Sequence, residues 1–137
     1  MTASPQARHR DLRHLIEQRL RGSVPGTAPH WPWASKITDE QFAELRRNLP
    51  TEMRRAAVLV PVVDRPEGLA LLFTQRASHL KHHPGQISFP GGGMEAVDAG
   101  AWEAALREAR EGIGLDRDYV ELEGYLHDHM GISGYVV

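Results

Sequence analysis

An α/β or α+β fold, with helices packed on a mixed sheet, is predicted by three observations. Residues 56–63, AAVLVPVV, form an apolar and largely β-branched run, and residues 69–75 form a second across the turn Asp64-Arg65-Pro66-Glu67-Gly68. Residues 11–20, 38–49 and 102–113 instead carry their apolar side chains at helical spacing. No internal repeat or low-complexity tract separates these segments, so strands and helices are expected to share one layered unit.

The first helix places Leu12, Leu15, Ile16 and Leu20 on one side, and Gly22 followed by Pro25 supplies a stop. The stretch that follows is rich in Gly, Pro and Ser and is read as an irregular connection, with Trp31 and Trp33 available to anchor it. The second helix has Thr38 as N-cap, Gln41 completing a capping box, a face made by Phe42, Leu45 and Leu49, and Pro50 as its end. The two apolar runs are read as two strands of one sheet, and a loop of His, Pro and Gly leads to the third helix, with Asp98 or a neighbour near its cap. Residues 119–126 and 135–137 are expected to be further strands.

A chain of 137 residues, 41% hydrophobic and 25% charged, suits one domain with one core, so residues 1–137 are read as a single domain. Residues 1–50 form a helical extension and residues 55–137 the core. A formal charge of −2, without long runs of one sign, offers no basic surface for nucleic acid or an anionic membrane. Without cysteine there is no disulfide framework, thiolate metal site or cysteine nucleophile, which fits a cytoplasmic protein. The apolar run is far short of the roughly 20 residues that span a bilayer, and the polar start lacks a signal-peptide core.

The chemistry is expected on the third helix. Trp102, Leu106, Ala109 and Ile113 fall in one stripe and should face the core, leaving Glu108 and Glu111 as neighbours on the opposite side. Two such carboxylates repel one another unless a cation or solvent screens them, and hard cations such as Mg²⁺ accept one or two carboxylates completed by water and substrate phosphate. The alternative on these residues alone is a solvated face of local ion pairs, with Arg107 bonded to Glu103 or Glu111. The preceding Phe89-Pro90-Gly91-Gly92-Gly93 favours the first reading, because glycines let backbone approach a phosphate closely.

In this order the residues resemble the Nudix box. Its pattern is a glycine, five residues, an acid, seven residues, then Arg-Glu-apolar-any-Glu-Glu-any-Gly-apolar. Arg107-Glu108-Ala109-Arg110-Glu111-Gly112-Ile113-Gly114-Leu115 matches it except at Gly112, and Gly92 and Asp98 have the glycine-to-acid spacing. Eight rather than seven residues separate Asp98 from Arg107, which resembles the coenzyme A pyrophosphatase subgroup. So does Leu72-Phe73-Thr74-Gln75-Arg76-Ala77, followed by Lys81, Gly85 and Phe89-Pro90-Gly91-Gly92, where Phe73 and Lys81 replace the usual leucine and arginine.

The resemblance covers residues from about 55 onward and implies a Nudix-type α/β/α sandwich with a mixed sheet. It implies cleavage of coenzyme A or its derivatives to 4′-phosphopantetheine and 3′,5′-ADP with Mg²⁺ or Mn²⁺. Glu108 and Glu111 would be the metal ligands, Arg107 would orient the box glutamates, and Arg76, Lys81, His83, Gly91 and Gly92 would meet a small-molecule substrate. Lys81, His82 and His83 would meet the nucleotide's 3′-phosphate or the diphosphate and offset its charge, or simply face solvent.

Gly112 stands where the family places the last glutamate of its Glu-Glu pair, so a principal ligand is replaced. Residues 134–137 resemble the start of a family strand after which more sheet would follow. The resemblance therefore predicts a C-terminally shortened core, whose exposed sheet edge would favour a homodimer. Two other outcomes remain open: a degenerate module that binds a nucleotide or coenzyme A without cutting it, and a hydrolase of ADP-ribose or another nucleoside diphosphate derivative.

Overall fold

The computed structural model describes residues 4–26, 36–79, 84–130 and 134–137. Helix α1, Pro5–Leu20, begins earlier than its apolar period, because the Ser4 hydroxyl accepts from the Ala7 N–H and Pro5 pre-sets the first helical turn. Helix α2, Asp39–Asn48, carries the expected capping box: Gln41 N–H donates to Thr38 Oγ1 and Thr38 N–H to Gln41 Oε1. Trp31 and Trp33 lie outside the described residues.

The run at 56–63 is two strands rather than one. Strand β1, Arg54–Val58, ends before Pro61, and β2, Val62–Arg65, pairs antiparallel with β3, Gly68–Leu71. Proline has no N–H for a ladder, and here the chain passes from one sheet to the next. The second run divides likewise, because β4, Thr74–Gln75, turns away to pair with β5, Ile87–Ser88. Helix α1 lies against β3, tied by Arg13 Nη1 to Asp64 at 2.8 Å.

The sheet that matters for function has the order β6-β1-β7, where β6 is Gly91–Gly93 and β7 is Tyr135–Val136. It is mixed as expected: β1 runs antiparallel to β6 and parallel to β7. Helix α3, Ala101–Ile113, packs on β1 and β6. Ala104, Ala105, Leu106 and Ala109 are its buried residues, whereas Ile113 is exposed, so the core stripe is rotated from the one predicted. Small side chains let the helix settle close over the glycine strand, with Ala57 of β1 against Ala104 and Ala105.

Residues 119–126 are not a strand. Arg117–Tyr119 form a short 3-10 turn, and Tyr125 N–H donates to Ser23 Oγ at 2.7 Å instead of to a neighbouring strand. Among the described residues no helix is long and apolar enough to cross a membrane.

Gly91 lies directly on β1, where a Cβ would come within 2.5 Å of the Ala57 carbonyl oxygen and 2.7 Å of Val58 Cα. These are backbone atoms that cannot rotate aside. Gly91→Ala is expected to cost about 1–3 kcal/mol, the usual scale of forced overpacking, measured by urea unfolding.

Candidate active site

The strand–loop–helix unit from β6 to α3 brings Gly91, Gly92, Arg107, Glu108 and Glu111 together. Its organiser is Arg107. Nε and Nη2 hold the two oxygens of Asp98, each at 2.9 Å, and Nη2 also donates to the Gly93 carbonyl at 2.9 Å. Nη1 faces Glu108 at 3.0 Å, Glu111 at 3.5 Å and Glu95 at 3.7 Å. One guanidinium thus gathers three carboxylates in front while a fourth anchors it from behind, and the planar fork makes that orientation specific.

Asp98 is not the helix cap. Gly100 takes that position without a side-chain hydrogen bond, and Asp98, with its side chain only 3% exposed, serves Arg107 and accepts from Glu95 N–H at 2.7 Å. The acid nine residues before Arg107 was the signal for this pairing. The other end of α3 follows expectation: Gly114 adopts the left-handed conformation and caps the helix with its N–H.

Arg107 holds the Asp98 carboxyl below the usual carboxylate range, helped by the Glu95 N–H, while Asp98 raises the Arg107 pKa. Because the folded pKa of Asp98 lies below its unfolded value of about 3.9, its contribution to stability is present above that pH and lost as pH falls through the folded value. Arg107 stays charged throughout. Asp98→Asn should therefore lower stability at neutral pH, and the gap to wild type should narrow below about pH 4, measured by denaturant unfolding across pH.

Glu108 is fixed from its other side by Gly92. A Cβ at residue 92 would stand 2.5 Å and 2.6 Å from the two Glu108 carboxylate oxygens, so glycine leaves the space the carboxylate occupies. Beside it opens a cleft of about 430 Å³, lined by Glu108, Glu95, Met94, Arg54, Arg55 and Tyr135, with Gly93 at its floor.

The donors suit a hard divalent cation: carboxylate oxygens on adjacent turns, with an open cleft for water and phosphate oxygens to complete the shell. Among the described residues no group of three or more His, Asp or Glu is arranged to hold a metal ion. The space around Gly112 is open: a Cβ there would meet nothing within 4 Å.

Arg76 stands at the base of the β4–β5 hairpin, exchanging backbone hydrogen bonds with Gly85 and Gln86, and does not line this cleft. Lys81 and His83 lie outside the described residues. Arg54, Arg55, Glu95 and Tyr135 were not singled out from sequence. The parallel pairing of Arg54 with Tyr135 brings residues from opposite ends of the core together, which no local motif announces.

The family model of the NUDIX domain matches residues 53–135. An uncharacterized Nudix hydrolase NudL of Salmonella paratyphi B is 48% identical over 110 residues, covering 75% of this chain and 57% of that protein. Those of Escherichia coli and Enterobacter sp. are 48% and 46% identical over 84 residues, in each case 61% of this chain and 43% of the relative. The chain spans about half the length of the curated relatives it matches.

Proposed function

The chain belongs to the Nudix domain family, and we propose that it is a metal-dependent diphosphate hydrolase cleaving coenzyme A or its derivatives to 4′-phosphopantetheine and 3′,5′-ADP. The observation that carries this reading is the Glu108 carboxylate, held between Arg107 and the side-chain-free Gly92 at the mouth of a cleft. A carboxylate held in this way would suit a phosphate-bound cation.

Bound Mg²⁺ or Mn²⁺ would neutralise phosphate charge and lower the pKa of a coordinated water. Glu108 and Glu111 would hold that ion, and Arg107 keeps them aligned while Asp98 keeps Arg107 aligned. The coenzyme A assignment is supported by the eight-residue spacing between Asp98 and Arg107 and by the Leu72 to Gly92 motif. The relatives are named as Nudix hydrolases, which supports the hydrolytic reading without naming a substrate. A cytoplasmic location and a homodimer belong to the same proposal.

Gly112 favours a second reading, a module that binds its nucleotide without cutting it. Presenting coenzyme A and ADP-ribose together at equal concentration separates the possibilities. The first reading expects coenzyme A to be consumed preferentially; preferential loss of ADP-ribose would reassign the substrate. Binding without turnover, restored to turnover by Gly112→Glu, would establish the second reading.

A further inference from the structure

We propose that Arg54 and Arg55 make the far end of the Glu108 cleft a binding site for a phosphate group that the substrate carries outside its scissile diphosphate. The inference rests on the diphosphate reading above and extends it to the class of substrate selected.

Side chains of both charges line this cleft. Glu108 and Glu95 line it, both within ion-pair distance of Arg107, and so do Arg54 and Arg55. Neighbouring residues of a strand project to opposite faces. Ala57 packs against α3, so Arg55 shares the α3 face with it, and Arg54 takes the other face. Both still border the cleft because β1 begins at its rim, where Met94 N–H donates to the Arg55 carbonyl at 2.9 Å as the chain leaves β6.

Glu108 lies over Gly92 of β6, whereas the arginines start β1 and Arg54 is paired with Tyr135 of β7. Gly92 is paired with Ala57, so Arg54 lies three residues further along the adjacent strand β1, roughly 10 Å at about 3.3 Å per residue. A diphosphate held at Glu108 therefore leaves the arginine end for another anionic group of the same molecule.

The arginines retain donors for such a group. Among the described residues no carboxylate lies within ion-pair distance of Arg54, and Arg55 reaches only Asp128, at a long 3.5 Å, with its side chain 59% exposed. A guanidinium that lines the cleft offers a phosphate group forked, charge-assisted hydrogen bonds. A cleft of about 430 Å³ is large enough for a nucleotide-sized part of a ligand.

The test measures binding of adenosine 3′,5′-bisphosphate and of AMP by calorimetry in excess EDTA, so that neither metal nor turnover enters. The wild-type chain is expected to prefer the bisphosphate by about tenfold or more, a scale appropriate to one added set of charge-assisted bonds. The double variant Arg54→Gln, Arg55→Gln should reduce the preference to about twofold or less while binding AMP as before. Arg54→Lys with Arg55→Lys should retain part of it, and Arg110→Gln should leave it unchanged.

Equal wild-type affinities, no bisphosphate binding, or a preference surviving the double glutamine change would each overturn the proposal. Should that double variant fail to fold, the lysine pair decides: a preference unchanged from wild type in Arg54→Lys with Arg55→Lys would overturn the proposal. Coenzyme A hydrolysis followed separately keeps the two readings apart: turnover with equal affinities removes only this inference, whereas an arginine-dependent preference without turnover removes only the hydrolase reading.

Discussion

Glu108→Gln is expected to lower metal-dependent turnover by about 100-fold or more, the scale of losing a group that acts on developing phosphate charge, while leaving the fold intact. Gln keeps the shape of the side chain, and the bonds from Arg107 to Asp98 and to the Gly93 carbonyl do not depend on Glu108. The affinity for Mn²⁺, read by calorimetry or electron paramagnetic resonance, should fall in the same variant. Unchanged turnover and unchanged Mn²⁺ affinity would remove Glu108 from the site.

Gly92→Ala should produce a comparable loss by a different route. Its Cβ would stand within 2.6 Å of the Glu108 carboxylate oxygens, which must swing away, and turnover is expected to fall about 10- to 100-fold, as when a group that orients a ligand is lost. The end of a flexible side chain moves cheaply, so stability should change little. Gly91→Ala meets backbone atoms of β1 instead and should lose stability. Unfolding midpoints and kcat measured on both variants distinguish adjacent glycines with different tasks; a Gly92→Ala chain with wild-type kcat would show that the Glu108 position is immaterial.

Much of this arrangement is local and therefore legible in sequence. The capping box at Thr38, the left-handed Gly114 and the glycines ahead of the helix depend on neighbours within a few residues, and each appears where its chemistry requires. Packing is harder to read. Leu106 and Ala109 are buried as expected. Trp102 and Ile113 outweigh alanine in any search for an apolar stripe, yet Ala104 and Ala105 face the sheet, because a close approach to a glycine strand favours small side chains.

Residues 119–126 show the same limit from the other side. Tyr119, Val120, Leu122, Tyr125 and Leu126 favour a strand, but the backbone there turns to the end of α1 at Ser23, and a strand needs a partner its own composition does not specify. The cleft was the least visible feature. Arg54 and Tyr135 stand far apart along the chain and meet only through parallel strand pairing, and Glu95 joins the other carboxylates through Arg107.

Coenzyme A hydrolysis by the 137-residue chain, followed as 3′,5′-ADP release with Mg²⁺ or Mn²⁺ and with EDTA, tests the central claim most directly. The expected result is release that requires the metal and falls about 100-fold or more in Glu108→Gln. A folded wild-type chain that binds Mn²⁺ yet releases no 3′,5′-ADP, alone or as Gly112→Glu, would contradict it.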